Sequence, residues 1–169
     1  MDFPLLLKQM QEDADRIRSL VEGVGPEQAR WKPEPESWSI LEVVNHLADE
    51  EREDFRTRLD IILHRPEDPW PPIDPRGWVT ERKYNERDLG ESLHRYTTER
   101  RASLEWLRGL GSPNWEAAVH SQLGSMKSGE MFAAWVTHDQ LHMRQLVELH
   151  RAYTEHLAQP YSLDYAGPW

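Results

Sequence analysis

The residues of this sequence best suited to chemistry are histidines. His138 and His142, in the stretch HDQLH, stand four apart on the apolar side of a helical segment, so both imidazoles project from one face, one turn apart. Two such nitrogens can hold one divalent ion, the arrangement that zinc-binding HExxH helices use, although their glutamate base is missing here. The pair alone reads equally well as packing or as solvated side chains, and a third ligand decides between the readings. His46, in SWSILEVVNHLADEE, lies at the edge of another apolar stripe beside Val43 and Leu47 and is the natural third. Three imidazoles leave at least one coordination position open, as catalytic metal sites do, and a water, a substrate oxygen or a thiolate could take it. Imidazole suits zinc, nickel, copper and iron, so the ligands do not choose the ion.

Each metal-bound histidine also needs its second ring nitrogen fixed by an acceptor. Glu50, one turn beyond His46, can supply one, though it reads equally well as a solvated carboxylate on an acidic helix. Asp139 and Gln145 are further candidates. Of the eight histidines, His64, His94, His120, His150 and His156 fall at helix ends, on polar faces or in loops. Trp38 and Trp135 read as core or staple residues, which leaves Trp70, Trp78 and Trp115, in loops, as tryptophans that could line a pocket mouth.

Composition narrows the class of protein. A chain of 169 residues suits one domain, spanning 1–169, and its 38% apolar and 30% charged content is that of a globular protein. No run approaches the ~18 apolar residues of a membrane span. The start MDFPLLLKQMQEDAD lacks a basic n-region and a cleavage site, so a cytoplasmic location is expected. The absence of cysteine excludes disulfides, thiolate ligands and a cysteine nucleophile, so any thiol chemistry needs an external thiol. A net charge of −10, with the basic residues dispersed, argues against nucleic acid as a partner and leaves a small-molecule substrate.

Four amphipathic helices must position the histidines. The first spans about 3–22, with Phe3, Leu6, Leu7, Met10, Ile17, Leu20 and Val21 at helical spacing and Gly23 closing it. The loop 24–38 holds three prolines that deny it a helix interior. The second helix opens with a capping box, Ser39 and Glu42, and runs to about 63, with Trp38 stapling onto Val43. Residues 64–80 hold five prolines and are expected to form a stiff extended connector without regular structure. The third helix starts near Asn85 and ends before Gly109 and Gly111. After a loop through SPNWEAAVHSQLGSMKSG, the fourth carries Met131, Trp135, His138, Leu141, His142 and Leu146, and the tail after 150 adds a turn or two before becoming irregular. No alternating stretch competes, so the expected class is all-α, a four-helix bundle.

Length sets the topology. A helix of ~25 residues is about 37 Å long, and 17 extended residues reach about 50 Å. The connector can therefore return along the whole bundle, giving an up-down-down-up order in which the second and fourth helices are antiparallel. His46 then lies about 10 Å into its helix and His142 about 12 Å from the end of its own, at matching depths.

The same residues resemble a known family. WSILEVVNHLADEE, followed about 90 residues later by HDQLHMRQL, is similar to the DinB/YfiT-like superfamily, in which Trp-Ser-x-x-Glu-x-x-x-His-Leu supplies one histidine and His-x-x-x-His-x-x-Gln supplies two. NWEAAVHSQLGSMKSGEMFAAWVTH is similar to the approach to the family's last helix, and the likeness covers most of residues 1–150. The tail ending in YAGPW matches no motif of it. By position, the resemblance implies that His46, His138 and His142 are a metal triad and that Gln145 is the family's recurring glutamine. It further implies a bundle with a long crossover, nickel or zinc as the divalent metal, and a homodimer. The activities it implies are thiol-dependent transferase chemistry, with a low-molecular-weight thiol as cofactor, or metal-dependent hydrolysis. The alternative is a metal-binding, stress-response bundle without turnover.

Overall fold

The first helix, α1 (Phe3–Val21), starts where Asp2 accepts the Leu5 N–H and ends just before Gly23, whose φ of +83° is the left-handed conformation that closes helices. The second bundle helix is built of three parts: α3 (Ile40–Asp49), a π-helical segment Glu50–Phe55, and α4 (Arg56–His64). Its start is the expected capping box. The Ser39 hydroxyl accepts from the Glu42 N–H at 3.1 Å, and the Glu42 carboxylate accepts from the Ser39 N–H at 2.8 Å. The third and fourth bundle helices are α6 (Leu89–Gly109) and α7 (Ser128–Ala158). The computed structural model describes residues 1–121 and 124–169, and of the side chains at 120 and 121, His120 included, nothing is described.

Two apolar clusters fill the bundle and reveal its topology. One joins Met10 of α1, Leu59 and Ile62 of α4, Leu104 and Leu107 of α6, and Phe132 and Trp135 of α7. The other joins Ile17 and Val21 of α1, Val43 and Leu47 of α3, Tyr96 of α6, and Leu146 and Leu149 of α7. The early turns of α1 and α7 thus meet the late turns of the second bundle helix and of α6. The order is up-down-down-up, as the connector length predicts.

Between the two clusters each helix contributes a buried polar residue: Asp13, Glu51, Arg100 and Asp139, all at most 2% exposed. Arg100 organises this layer. Its guanidinium donates to Glu51 Oε1 at 2.8 and 2.5 Å, to both Asp139 oxygens at 2.6 Å, and to the Met10 carbonyl at 3.0 Å. Trp135 Nε1 donates to the same Glu51 oxygen at 2.9 Å. All four helices are joined through one side chain. Burial alone would lower the Arg100 pKa, but Glu51, Tyr96 and Asp139 hold it well above its ordinary value, so the charge is kept.

Three segments depart from the sequence reading. The loop after α1 contains a short helix, α2 (Pro26–Arg30), and the proline-rich connector contains α5 (Pro75–Glu81) followed by a 3-10 turn, Tyr84–Glu86. In both helices proline occupies the first turn, where its missing N–H leaves no bond unmade, and Asp74 caps α5 through the Gly77 N–H at 2.9 Å. Proline thus starts helices here. This turn chemistry also delays α6, whose cap is Asp88 rather than a residue near Asn85. The loop before α7 forms a hairpin, β1 (Ala118–Ser121) with β2 (Gly124–Lys127), which pairs Ala118 with Lys127 and Val119 with Met126. His120 therefore has strand backbone. Among the described residues no helix is long and apolar enough to cross a membrane.

Removing the Arg100 charge strands two buried carboxylates. The Arg100→Met variant is expected to lose about 3–5 kcal/mol of unfolding free energy in urea titration. Adding Glu51→Gln and Asp139→Leu is expected to restore most of that loss.

Candidate metal centre

The sequence-predicted triad converges. His46 comes from α3 and His138 and His142 from α7, and their Nε2 atoms lie 3.4 Å (46 to 138), 3.1 Å (46 to 142) and 3.0 Å (138 to 142) apart. Imidazole nitrogens bind zinc-like ions at about 2.0–2.1 Å, so ligands at tetrahedral angles around one ion sit about 3.3 Å from each other. The observed triangle fits that requirement, and three neutral imidazoles are the donor set such ions prefer. Three nitrogens converging at this distance can bond one another through an Nε2–H tautomer or share a common cation.

The histidines meet although α7 is longer than the sequence predicts. α7 runs on to Ala158, about 16 residues or ~24 Å past His142, rather than ending ~12 Å beyond it. Its last turns overhang the bundle. There His150 bonds Gln28 and the Leu20 carbonyl, at 2.9 and 2.6 Å, while Tyr153 and His156 pack on Trp31.

The surroundings fix the rings. His142 Nδ1 donates to Gln145 Oε1 at 2.8 Å, which leaves its Nε2 lone pair for the site. Phe55 packs on His138 and Trp38 on His46, with centroids 5.0 and 4.8 Å apart, and Trp38 lies parallel to His142. Glu50 is buried, not solvated. Its Oε1 faces His46 Nδ1 at 3.8 Å, short of a hydrogen bond. Asp139 does not support a histidine, because both its oxygens are committed to Arg100.

Above the Nε2 triangle opens a cleft of about 1300 Å³, walled by α3, α7, the segment 32–38 and α5. The sequence reading of the tryptophans fails here. Trp38 and Trp169 line this cleft, whereas Trp70 lies under Arg58, Trp115 packs on Phe3 and Phe132, and Trp78 is buried beside Val79 and Tyr84. Trp38 precedes the helix cap and so faces the same side as His46, a consequence of spacing that could have been read. The α5 wall could not, since it depends on a helix the prolines seemed to forbid. It is fastened by Arg82, which donates to Asp49 at 2.5 Å and to Glu53 at 2.9 and 2.8 Å, with its guanidinium 4.0 Å over Trp78. Tyr84 and Arg95 also reach Asp49.

Burial, and then the neighbouring imidazoles, pulls His46 from 6.5 down to about 2; burial, then His142 and Arg100, pulls His138 to about 3. His142 is lowered by burial against the Gln145 bond. A histidine kept neutral by the fold stabilises it fully above pH ~6.5, and that contribution is lost as pH falls toward the folded value. Glu50 works in the opposite sense. Burial, then Asp54, raises it to about 8, so its contribution is complete below its ordinary value and lost as pH rises toward 8. Each shifted group contributes a slope of about 1.4 kcal/mol per pH unit in its window. Urea unfolding in the presence of chelator is therefore expected to show stability falling from pH 6.5 to 4.5, and His46→Leu should reduce that fall by about 1–3 kcal/mol.

The comparisons with known proteins agree with this architecture. Residues 9–146 match the sequence model of the DinB superfamily. A comparison with curated proteins found no match. Among solved structures, YfiT from Bacillus subtilis, described as a probable metal-dependent hydrolase with an unusual four-helix bundle topology, is similar in fold. Its TM-score is 0.79 at 18% identity, covering 90% of this chain and 87% of that one. The family match spans most of the chain and includes all three converging histidines, and the chain belongs to the DinB superfamily.

Proposed function

We propose that this protein is a metal-dependent enzyme acting on a small molecule, with His46, His138 and His142 holding one divalent ion at the floor of the cleft. The observation that carries the reading is the triangle of Nε2 atoms, 3.0–3.4 Å on a side, opening onto a cleft of about 1300 Å³. Zinc or nickel suits the three imidazoles. A divalent ion there supplies Lewis acidity, polarising a substrate oxygen or sulfur and easing proton loss from a water or thiol.

The chain's own residues then orient and exclude. Gln145 holds the His142 ring in the tautomer that presents Nε2. Phe55 and Trp38 cover the flanks of His138 and His46, and the open side of the histidines faces the cleft. Arg76, Lys83 and Arg151 on the walls offer cationic contacts, and Asn85 and Gln145 offer polar ones, to the part of a substrate lying away from the histidines. Since the chain has no cysteine, a transferase version of the reaction takes its nucleophile from an external low-molecular-weight thiol, and a hydrolase version takes it from water. The description of YfiT as a probable metal-dependent hydrolase supports the hydrolytic version.

Protein purified without affinity tag or chelator is expected to carry about one equivalent of divalent metal by elemental analysis, and His142→Ala to carry almost none. Metal-free protein that takes up no divalent ion on titration overturns the reading. Incubation of loaded protein with an ester panel, and separately with thiols and an electrophile, separates the versions, because only the transferase consumes thiol.

A further inference from the structure

The site has one buried donor-acceptor pair that is aimed but not joined. His46 Nδ1 and Glu50 Oε1 are both shielded from solvent, neither has a hydrogen-bond partner, and they face each other at 3.8 Å. The two residues are 5% and 4% exposed, so no water route offers either atom an easy substitute. Glu50 is held from behind. Its neighbour one turn on is Asp54, whose Oδ1 lies 2.7 Å from Arg58 Nε, and the Arg58 guanidinium in turn sits 4.6 Å over the Trp70 ring.

The backbone explains why an acidic residue is sent inward. Glu50 opens the π segment, and Glu50, Glu51, Asp54 and Phe55 form the face that this segment turns into the protein. Single π turns inside α-helices are frequent at functional sites. Glu51 serves Arg100 and Phe55 packs on His138, so each has a use in the layer or the site, while Glu50 has none within the protein alone.

We infer that Glu50 is a positioning residue for His46: on metal binding its carboxylate oxygen accepts the His46 Nδ1–H, fixing the ring with Nε2 toward the ion. The inference rests on the three-histidine metal reading. A cation on Nε2 makes the Nδ1–H more acidic and the bond to a carboxylate stronger, and a movement of under 1 Å brings 3.8 Å to bonding distance. The three histidines are thus oriented by different means, His142 by the amide of Gln145 and His46 by a carboxylate.

The test is cobalt(II) or zinc(II) affinity by competition with a chromophoric chelator, on wild-type protein and the Glu50→Ala and Glu50→Gln variants. Glu50→Ala is expected to weaken affinity about 10–100-fold, and Glu50→Gln, which keeps an acceptor oxygen, by less. The visible spectrum of the cobalt-loaded Glu50→Ala protein should shift, because a freed His46 ring changes the ligand field. The metal-free melting temperature of Glu50→Gln should be unchanged, since the amide keeps the shape of the side chain and the metal-free protein has no Glu50–His46 bond to lose. Affinity within threefold of wild type for Glu50→Ala, with an unshifted spectrum, overturns the positioning role while leaving the metal reading intact. A wild-type protein that binds neither ion overturns both.

Discussion

The arrangement of this protein depends on one buried guanidinium. Arg100 is gripped by Glu51 and Asp139, which are the chain neighbours of Glu50 and His138. A helix rises about 1.5 Å per residue, so sliding α7 by one residue against the second bundle helix would break bonds of 2.6 Å and leave three charges buried without partners. Apolar side chains forgive such a slip far more readily. The ionic layer therefore sets the depth at which the two histidine-bearing helices meet, and the site inherits its register from a cluster that contains no histidine.

The π segment serves the same end from the other side. Asp49, Glu50 and Glu51 are consecutive, all at most 4% exposed, and each faces something different: Asp49 the crossover cations, Glu50 the His46 ring, and Glu51 Arg100. The ordinary α-helix before the π segment is buried in full as well, at every residue from Ile40 to Asp49. Within this segment, EEREDF, the residues at i, i+1, i+4 and i+5 share one inward face, so a strongly acidic stretch buries four of its six residues. The dense charge so placed is partnered mostly by arginines from other elements, Arg82, Arg95 and Arg100, rather than by lysines on the same helix face.

Much of the bundle was legible because its signals are local. The Ser39 and Glu42 box, the apolar stripes and the Gly23 stop each act within a few residues, and the three histidines stood on those stripes. The ionic layer was illegible for the opposite reason. Arg100, Glu51 and Asp139 each look like ordinary charges on an amphipathic helix, and only their pairing across ~40 to ~50 residues of sequence makes burial tolerable. Position alone therefore makes Asp139 a candidate support for a histidine, whereas its partner is an arginine. Prolines misled in another way. They were counted as breakers, yet Pro26 and Pro75 sit in first turns, where a missing N–H is harmless, and what distinguishes the two cases at Pro75 is the capping Asp74 just before it.

The helix that Pro75 starts bears on how the cleft arises. The up-down-down-up order obliges the chain to return from the end of α4 to the start of α6 along the outside of the bundle. The returning segment reaches the same end of the molecule where α3 begins, and α3 carries His46 about two turns in. Whatever structure the segment adopts there must lie beside the histidines. α5 supplies Pro75, Arg76, Val79 and Thr80 to the cleft, and Asn85, just beyond it, accepts from the Ser39 hydroxyl at 2.7 Å. The cap that starts α3 is thereby tied to the wall that faces its histidine, so the topology that brings the three histidines together also encloses them in a cleft rather than leaving them on an open surface.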